Sequence, residues 1–190
     1  MAIVLASASP RRKELMEMLG VKELVVRPAE AEEKAADGLA PAELVQALAS
    51  HKAREVALRS APGDVIVAAD TVVWLENRVY GKPRDEHEAA AMLRALSGRT
   101  HEVFTGVSVI RAGRELTRAV RSEVRFRELS EREIAAYIAT GEPMDKAGAY
   151  GAQGKAALFV ESIDGDFFNV MGLPLCTLGL MLREQGVELL

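Results

Sequence analysis

Apolar and polar positions follow one another along this chain in blocks whose period changes from strand-like to helix-like and back. Ile3-Val4-Leu5-Ala6 is a short apolar run; behind it Ser9 stands at an N-cap position, with Pro10 suited to the first helical turn. Leu15, Met16 and Leu19 give the helix that follows an apolar side, and Gly20 can close it. Leu24-Val25-Val26 predicts a second strand, followed by an acidic, alanine-rich stretch from Ala29 to Gly38. From Pro41 to Arg59, Val45, Leu48, Ala49, Val56 and Ala57 share one helical stripe. After the turn at Ser60-Ala61-Pro62-Gly63, Val65 to Ala69 reads as a buried strand running through Asp70 to Leu75. Glu76-Asn77-Arg78 then turns it back toward Val79-Tyr80. Glu86 to Ser97 is helical, and Val103 to Ile110 and Thr117 to Phe126 are strands joined across Ala112-Gly113. Ser130 to Thr140 is a helix with Glu133 at the capping-box position. A glycine-rich loop, a last strand from Ala157 to Ile163 and a C-terminal helix from Pro174 complete the series. Strands interleaved with helices around a central hairpin predict an α/β (α+β mixed) fold with a mixed sheet, in a single domain over residues 1–190.

Composition narrows the possible functions. With 190 residues, 49% of them apolar and 27% charged, the chain buries about 70% of its unfolded surface and needs no staples. The 24 basic and 28 acidic residues leave a net charge of −4, so no global cationic field exists to hold a nucleic-acid backbone. One cysteine, Cys176, excludes an internal disulfide; it suits a reducing compartment and, in an apolar helix, a core position. The longest uncharged run, Phe167 to Leu182, is interrupted by Asn169, Gly172 and Pro174 and falls short of the ~20 residues a membrane span requires. At the N-terminal end the apolar stretch precedes the basic cluster, the reverse of a signal peptide. These features predict a cytoplasmic protein without nucleic-acid or membrane partners.

Charges that break the pattern point to chemistry. Ser7-Ala8-Ser9-Pro10-Arg11-Arg12-Lys13 places three cations in the first turn of a helix, where the unpaired N–H groups already carry positive charge. Each is misplaced by about 0.3–1 kcal/mol unless an anion docks there or water solvates it. Asp70 interrupts a buried apolar strand, a position that suits a metal ligand, a general base toward water, or a strand-end turn. Lys52 lies on the apolar stripe of its helix, four residues from Leu48 and from Val56, either laying its stem along the core edge or reaching inward. Glu30, Glu32 and Glu33 form an acidic set that either solvates a face or holds Mg²⁺ or Mn²⁺. Gly148, Gly151 and Gly154 recur at spacing three, which either allows close backbone approach to a ligand or marks a plain surface loop. Gln153 among them offers both a donor and an acceptor to a pyrimidine edge. The segment is not a P-loop, because Ala149 and Ala156 stand where glycine and Ser/Thr are needed. His51, His87 and His101 lack metal-ligand spacing and read as surface or ordinary polar positions.

Taken in order, these segments resemble the Maf family of nucleoside triphosphate pyrophosphatases. The blocks are Ala6 to Arg12, Ala69 to Val73, Gly81-Lys82-Pro83, Ser97 to Val103, Asp145 to Gly151 with Gln153, and Asn169 to Pro174. The resemblance implies hydrolysis between the α- and β-phosphates of a nucleoside triphosphate, with a divalent metal, Mg or Mn. It also implies an elongated twisted mixed sheet flanked by helices, two lobes with a central cleft, a fold similar to the inosine triphosphate pyrophosphatase-like architecture, and a homodimer. Asp70 matches the family's acidic catalytic residue, and Ser9, Arg12, Glu33, Lys52 and Lys82 match residues around phosphate and metal. On this reading Lys52 and Lys82 assist catalysis, and Glu33 joins Asp70 on the metal. Arg11, Thr71 and Gln153 match the positions linked to base choice and mark the subgroup acting on dTTP and UTP. Asp166 departs from the pattern, standing where the family often carries a small hydroxyl residue. Two other readings stand beside this one. A nucleotidyltransferase shares the Leu-Ala…Arg start but has a Gly-x-Gly there, and a regulatory protein of septum formation in cell division would bind without catalysis.

Overall fold

The computed structural model describes residues 1–21, 23–30 and 38–190. The apolar runs become strands where their amides can pair. β1 (Ile3–Leu5) lies parallel to both β2 (Leu24–Val26) and β3 (Val65–Leu75), so that Leu5 stands opposite Val26 on one side and Val67 on the other. The intervening segments include α1 (Pro10–Met18) and α2 (Pro41–Ala57), since parallel neighbours need a long crossover. β3 turns back into β4 (Arg78–Tyr80) through Glu76 and Asn77, whose φ values of 49° and 60° set a turn that matches the strand twist. The same device, Ala112 at φ 48° and Gly113 at φ 80°, joins β5 (Thr100–Arg111) to β6 (Arg114–Phe126). α3 (Glu86–Leu96) precedes this hairpin, and α4 (Glu131–Ile138) follows it with the predicted capping box between Ser130 and Glu133. β7 (Val160–Asp164), α5 (Phe167–Met171) and α6 (Leu175–Glu184) complete the order. Among the described residues the sheet is seven-stranded and mixed, in the order β2-β1-β3-β5-β6-β7 with β4 beside β3, and helices flank it.

Two compact units share these elements. The first comprises Met1–Asp70, Thr105–Val120 and Gly172–Leu190. Val4 and Ala6, Ala53 and Val56, and Ile66 and Ala68 form its core between the sheet and α2. Gly106 sets how close α2 lies, because a Cβ there would stand 2.1 Å from the carbonyl oxygen of Val45. Gln185, buried at the end of α6, donates from Nε2 to the carbonyls of Val109 (3.3 Å) and Arg114 (2.9 Å). The second unit comprises Thr71–Phe104 and Arg121–Met171. Its core gathers Val73, Leu93, Leu96, Phe126, Ile134, Tyr137, Tyr150 and Phe159.

Three expectations change in the structure, and the residue that departs from the family pattern takes a definite place. The last strand begins at Val160, not Ala157, because the amides of Ala157 and Phe159 are taken by Gly154 and Ala156 carbonyls in a 3₁₀ turn (Lys155–Leu158). Cys176 is exposed, since the buried stripe of α6 runs through Leu175, Leu178, Met181 and Leu182 and leaves position 176 outside it. His51 and His87 are exposed as expected, but His101 is buried, edge-on to Phe126 and Tyr150. Asp166, the family departure, caps the short helix α5 by accepting the Phe168 N–H at 2.8 Å on Oδ1. A small hydroxyl can satisfy the same amide.

Candidate functional site

Asp70 was singled out because a carboxylate in a buried strand must be paired or hydrogen-bonded, and Lys52 pairs with it. The Lys52 Nζ lies 2.5 Å from Asp70 Oδ1, with only 15% and 9% of the two side chains exposed. Between the two readings of Lys52, the structure therefore selects the inward reach from the apolar stripe of α2. One position before Asp70, the main-chain carbonyl of Ala69 accepts from an Arg12 guanidinium nitrogen at 2.8 Å. Arg12 Nε donates to the Gly172 carbonyl at 2.7 Å, and its terminal nitrogen also reaches Ser7 Oγ at 3.3 Å. The plane of this guanidinium is thus set by carbonyls from two other parts of the chain.

The loop before α1 is organised around Ser7. Ser7 is buried and its Oγ accepts the Ser9 N–H at 3.2 Å as well as the Arg12 contact. Ser9 occupies the N-cap in an extended conformation, with Pro10 at the first helical position as expected, but its side chain makes no capping bond. Arg11 sits partly exposed on the same first turn. Lys13, the third cation, is exposed and pairs at 3.4 Å with Glu17 one turn along. The first unit therefore brings together Ser7, Ser9, Arg12, Lys52 and Asp70.

The second unit carries Thr71, Lys82 and Gln153. Thr71 is partly buried where β3 enters this unit, and Lys82 and Gln153 are both exposed. Lys82 lies in a loop tied down by a 3.0 Å hydrogen bond from the Gly148 N–H to the Gly81 carbonyl, with Pro83 buried behind it. The three spaced glycines left close approach to a ligand and a plain loop both open, and in the structure this unit's own side chains approach all three. A Cβ at Gly148, which sits at φ +67°, would stand 2.8 Å from Val73 Cγ2. At Gly151 it would stand 2.6 Å from Lys146 Cε, and at Gly154 2.1 Å from Glu142 Oε1. The close approaches are thus used to pin the loop that presents Gln153.

Behind that loop, Tyr150 Oη and His101 Nε2 are 2.8 Å apart. Burial keeps the imidazole neutral, its pKa pushed down to about 3, and pushes the Tyr150 hydroxyl far above the ordinary tyrosine range. Tyr137 and Glu142, which brace the same loop, escaped sequence reasoning. Tyr137 falls on the apolar stripe of α4 with Ile134 and Ile138 and reads as core, while Glu142 reads as a surface acid after a helix.

A metal was expected on Glu33 and Asp70. Glu33 lies outside the described residues, and among the described residues no group of three or more His, Cys, Asp or Glu gathers to hold an ion. Asp70 nevertheless fits a hard cation of the Mg²⁺ type, which takes one or two carboxylates and draws its remaining ligands from substrate phosphates and water. No helix among the described residues is long and apolar enough to cross a membrane.

Comparison with known proteins gives the family and the fold. A sequence profile of the family described as Maf-like protein matches residues 2–185. A dTTP/UTP pyrophosphatase of Thermococcus gammatolerans is 51% identical over 188 residues, covering 99% of this chain and 98% of that protein. Another, from Symbiobacterium thermophilum, is 49% identical over 184 residues, covering 97% and 94%. The Staphylococcus aureus Ham1 protein and a HAM1 protein from Coxiella burnetii share the fold at 12% and 19% identity. Their TM-scores are 0.54 and 0.52, and each match covers 97% of this chain and 100% of the solved one. By the profile that spans nearly all of it and the relatives that match it end to end, the chain belongs to the Maf-like protein family.

Proposed function

We propose that this chain is a dTTP/UTP pyrophosphatase, hydrolysing the bond between the α- and β-phosphates to release the monophosphate and pyrophosphate. The observation that carries the reading is the Lys52–Asp70 pair, a carboxylate set inside a buried strand and joined to an ammonium at 2.5 Å. A buried acid of this kind, beside an arginine held in a fixed plane, supplies a base and a cationic wall in a partly dehydrated setting. Asp70 accepts the proton of the attacking water as the water oxygen bonds to phosphorus and the anhydride oxygen leaves with the pyrophosphate. Lys52, Lys82 and Arg12 offset the charge that develops on the phosphate oxygens, and Ser9 donates to them. Arg11, Thr71 and Gln153 are assigned to the base. A divalent cation, Mg²⁺ or Mn²⁺, held by Asp70 with Glu33 and the phosphates, would neutralise phosphate charge and acidify the water.

The test is to incubate the protein with dTTP or UTP and Mg²⁺, water being the sole acceptor, and to measure pyrophosphate and phosphate separately. One pyrophosphate is expected per monophosphate, with turnover lost in Asp70→Asn. Full turnover of Asp70→Asn would exclude Asp70 as the base. Release of phosphate instead of pyrophosphate would exclude α–β cleavage, and no release without a second acceptor would indicate a nucleotidyltransferase. The exposed Cys176 thiol supports a reducing compartment such as the cytoplasm. Light scattering on the purified chain tests the homodimer that the family implies.

A further inference from the structure

Gln153 sits at the middle of a five-residue segment whose two ends are held by one pair of side chains. At the near end the Gly151 N–H donates to Tyr137 Oη at 3.1 Å. At the far end the Lys155 N–H donates to Glu142 Oε2 at 3.1 Å. Tyr137 Oη and Glu142 Oε1 are 2.9 Å apart and close the bracket. The proton directions follow from the inventory of donors. Tyr137 Oη already accepts an amide, so its own hydrogen goes to Glu142, and the carboxylate accepts from a phenol on one oxygen and an amide on the other. A carboxylate does both with one oxygen each and presents no donor of its own. Burial of Tyr137 pushes its pKa well above the ordinary range, which keeps that hydrogen in place.

The packing is built to admit these groups. A Cβ at Gly154 would collide with the Glu142 carboxylate, at 2.1 Å from Oε1 and 2.6 Å from Cδ. A Cβ at Gly151 would stand 2.6 Å from Lys146 Cε, and Lys146 Nζ in turn donates to the Glu142 carbonyl and to Asp145 Oδ1, both at 2.6 Å. The carboxylate, its main-chain anchor and both glycines thus converge on the segment that carries the exposed amide of Gln153.

We infer that Glu142 and Tyr137 are positioning residues that fix the reach of Gln153 and so set which pyrimidine base the protein selects. This rests on the reading of Gln153 as a base-contacting group. With the bracket intact, the Gln153 amide stands at the reach where its N–H meets the 4-oxo group of thymine or uracil, whereas a cytosine 4-amino group requires the amide to turn over. With the bracket broken, the segment samples other positions and that discrimination weakens.

The experiment measures kcat and KM for dTTP and CTP in the wild type, Glu142→Gln, Tyr137→Phe, Gln153→Ala and the Glu142→Gln/Gln153→Ala double variant. Glu142→Gln sets an amide donor against either the phenol or the Lys155 N–H at nearly unchanged volume, and Tyr137→Phe removes the bridging hydroxyl without changing shape. Each should raise KM for dTTP with kcat changed less than about twofold, and lower the dTTP-over-CTP ratio of kcat/KM by about five- to tenfold, the effect of one lost or misplaced hydrogen bond. In the Gln153→Ala background Glu142→Gln should lower that ratio no further. An equal fall of kcat for both nucleotides, or an undiminished effect of Glu142→Gln on the ratio in the Gln153→Ala background, would overturn the positioning role. If Gln153→Ala alone leaves the ratio unchanged, the base-contacting reading of Gln153 fails, and the inference falls with it.

Discussion

Replacing Lys52 with methionine is the sharpest test of how the site is held. The change removes the ammonium and keeps an unbranched stem along the core edge, so Asp70, only 7% exposed, loses the Lys52 contact at 2.5 Å. At an effective dielectric of about 20 the gross attraction at that distance is about 7 kcal/mol, most of which only offsets the desolvation of the two charges. What the variant exposes is the other side of that balance, a buried carboxylate in β3 deprived of its ammonium. Breaking a buried pair from one side costs about 3–5 kcal/mol, a large share of a total stability of about 5–15 kcal/mol. Urea unfolding followed by circular dichroism at pH 7 reads this as a lower midpoint at constant slope. Asp70→Asn should cost less, about 1–2 kcal/mol, because the long Lys52 stem can carry its ammonium to water whereas Asp70 is fixed in a strand. The double variant should lie within about 1 kcal/mol of Asp70→Asn alone, giving strong coupling in the cycle. If Lys52→Met falls within about 0.5 kcal/mol of wild type, or the two changes simply add, the pair is not the structural unit described.

Two further outcomes are expected. The folded pKa of His101, about 3, lies below its ordinary 6.5, so as pH falls the unfolded chain takes up this proton first. Its contribution is full above pH 6.5 and lost progressively toward pH 3, by up to about 5 kcal/mol at the acid end. His101→Gln should flatten that part of the stability profile, and identical profiles would reject a buried neutral imidazole. Gly106→Ala would place a Cβ 2.1 Å from the Val45 carbonyl oxygen and 2.3 Å from its carbon, atoms of backbone that can yield only if α2 lifts from β5. A loss of at least about 1–3 kcal/mol is expected in thermal unfolding, and an unchanged midpoint would show that the helix is not seated on that glycine.

What could be read from the sequence was whatever broke a pattern. Asp70 and Lys52 were visible because each puts a charge where period demands an apolar residue, and the structure joins the two. The start of α1 was visible because Ser9-Pro10 encodes it locally. Arg12 was visible as a misplaced cation, but not its anchoring, since the carbonyls that orient it belong to Ala69 and Gly172, 57 and 160 residues away. The glycine spacing signalled close approach without naming what approaches, and the answer, Val73, Lys146 and Glu142, depends on tertiary packing. His101 and Cys176 were misplaced for the same reason. A single polar residue in a strand, or a cysteine one position off a helical stripe, takes its burial from the neighbouring layer rather than from its own flanks.

The same physics bears on why a buried ion pair stands in the first unit. Replacing a buried ion pair by apolar side chains of similar volume is often neutral or stabilising, because neither needs to be stripped of water. Stability is therefore a weak reason for Lys52 and Asp70 to be present. An apolar pair, however, can neither accept a proton from water nor offset charge on a phosphate oxygen. A Lys52→Met/Asp70→Leu variant should accordingly be at least as resistant to urea as Asp70→Asn and hydrolyse no dTTP, which would separate the pair's chemical role from any role in holding β3 to α2. A variant that unfolds far more readily than Asp70→Asn would show instead that the ions are structural, and the case for Asp70 as the base would lose its main support.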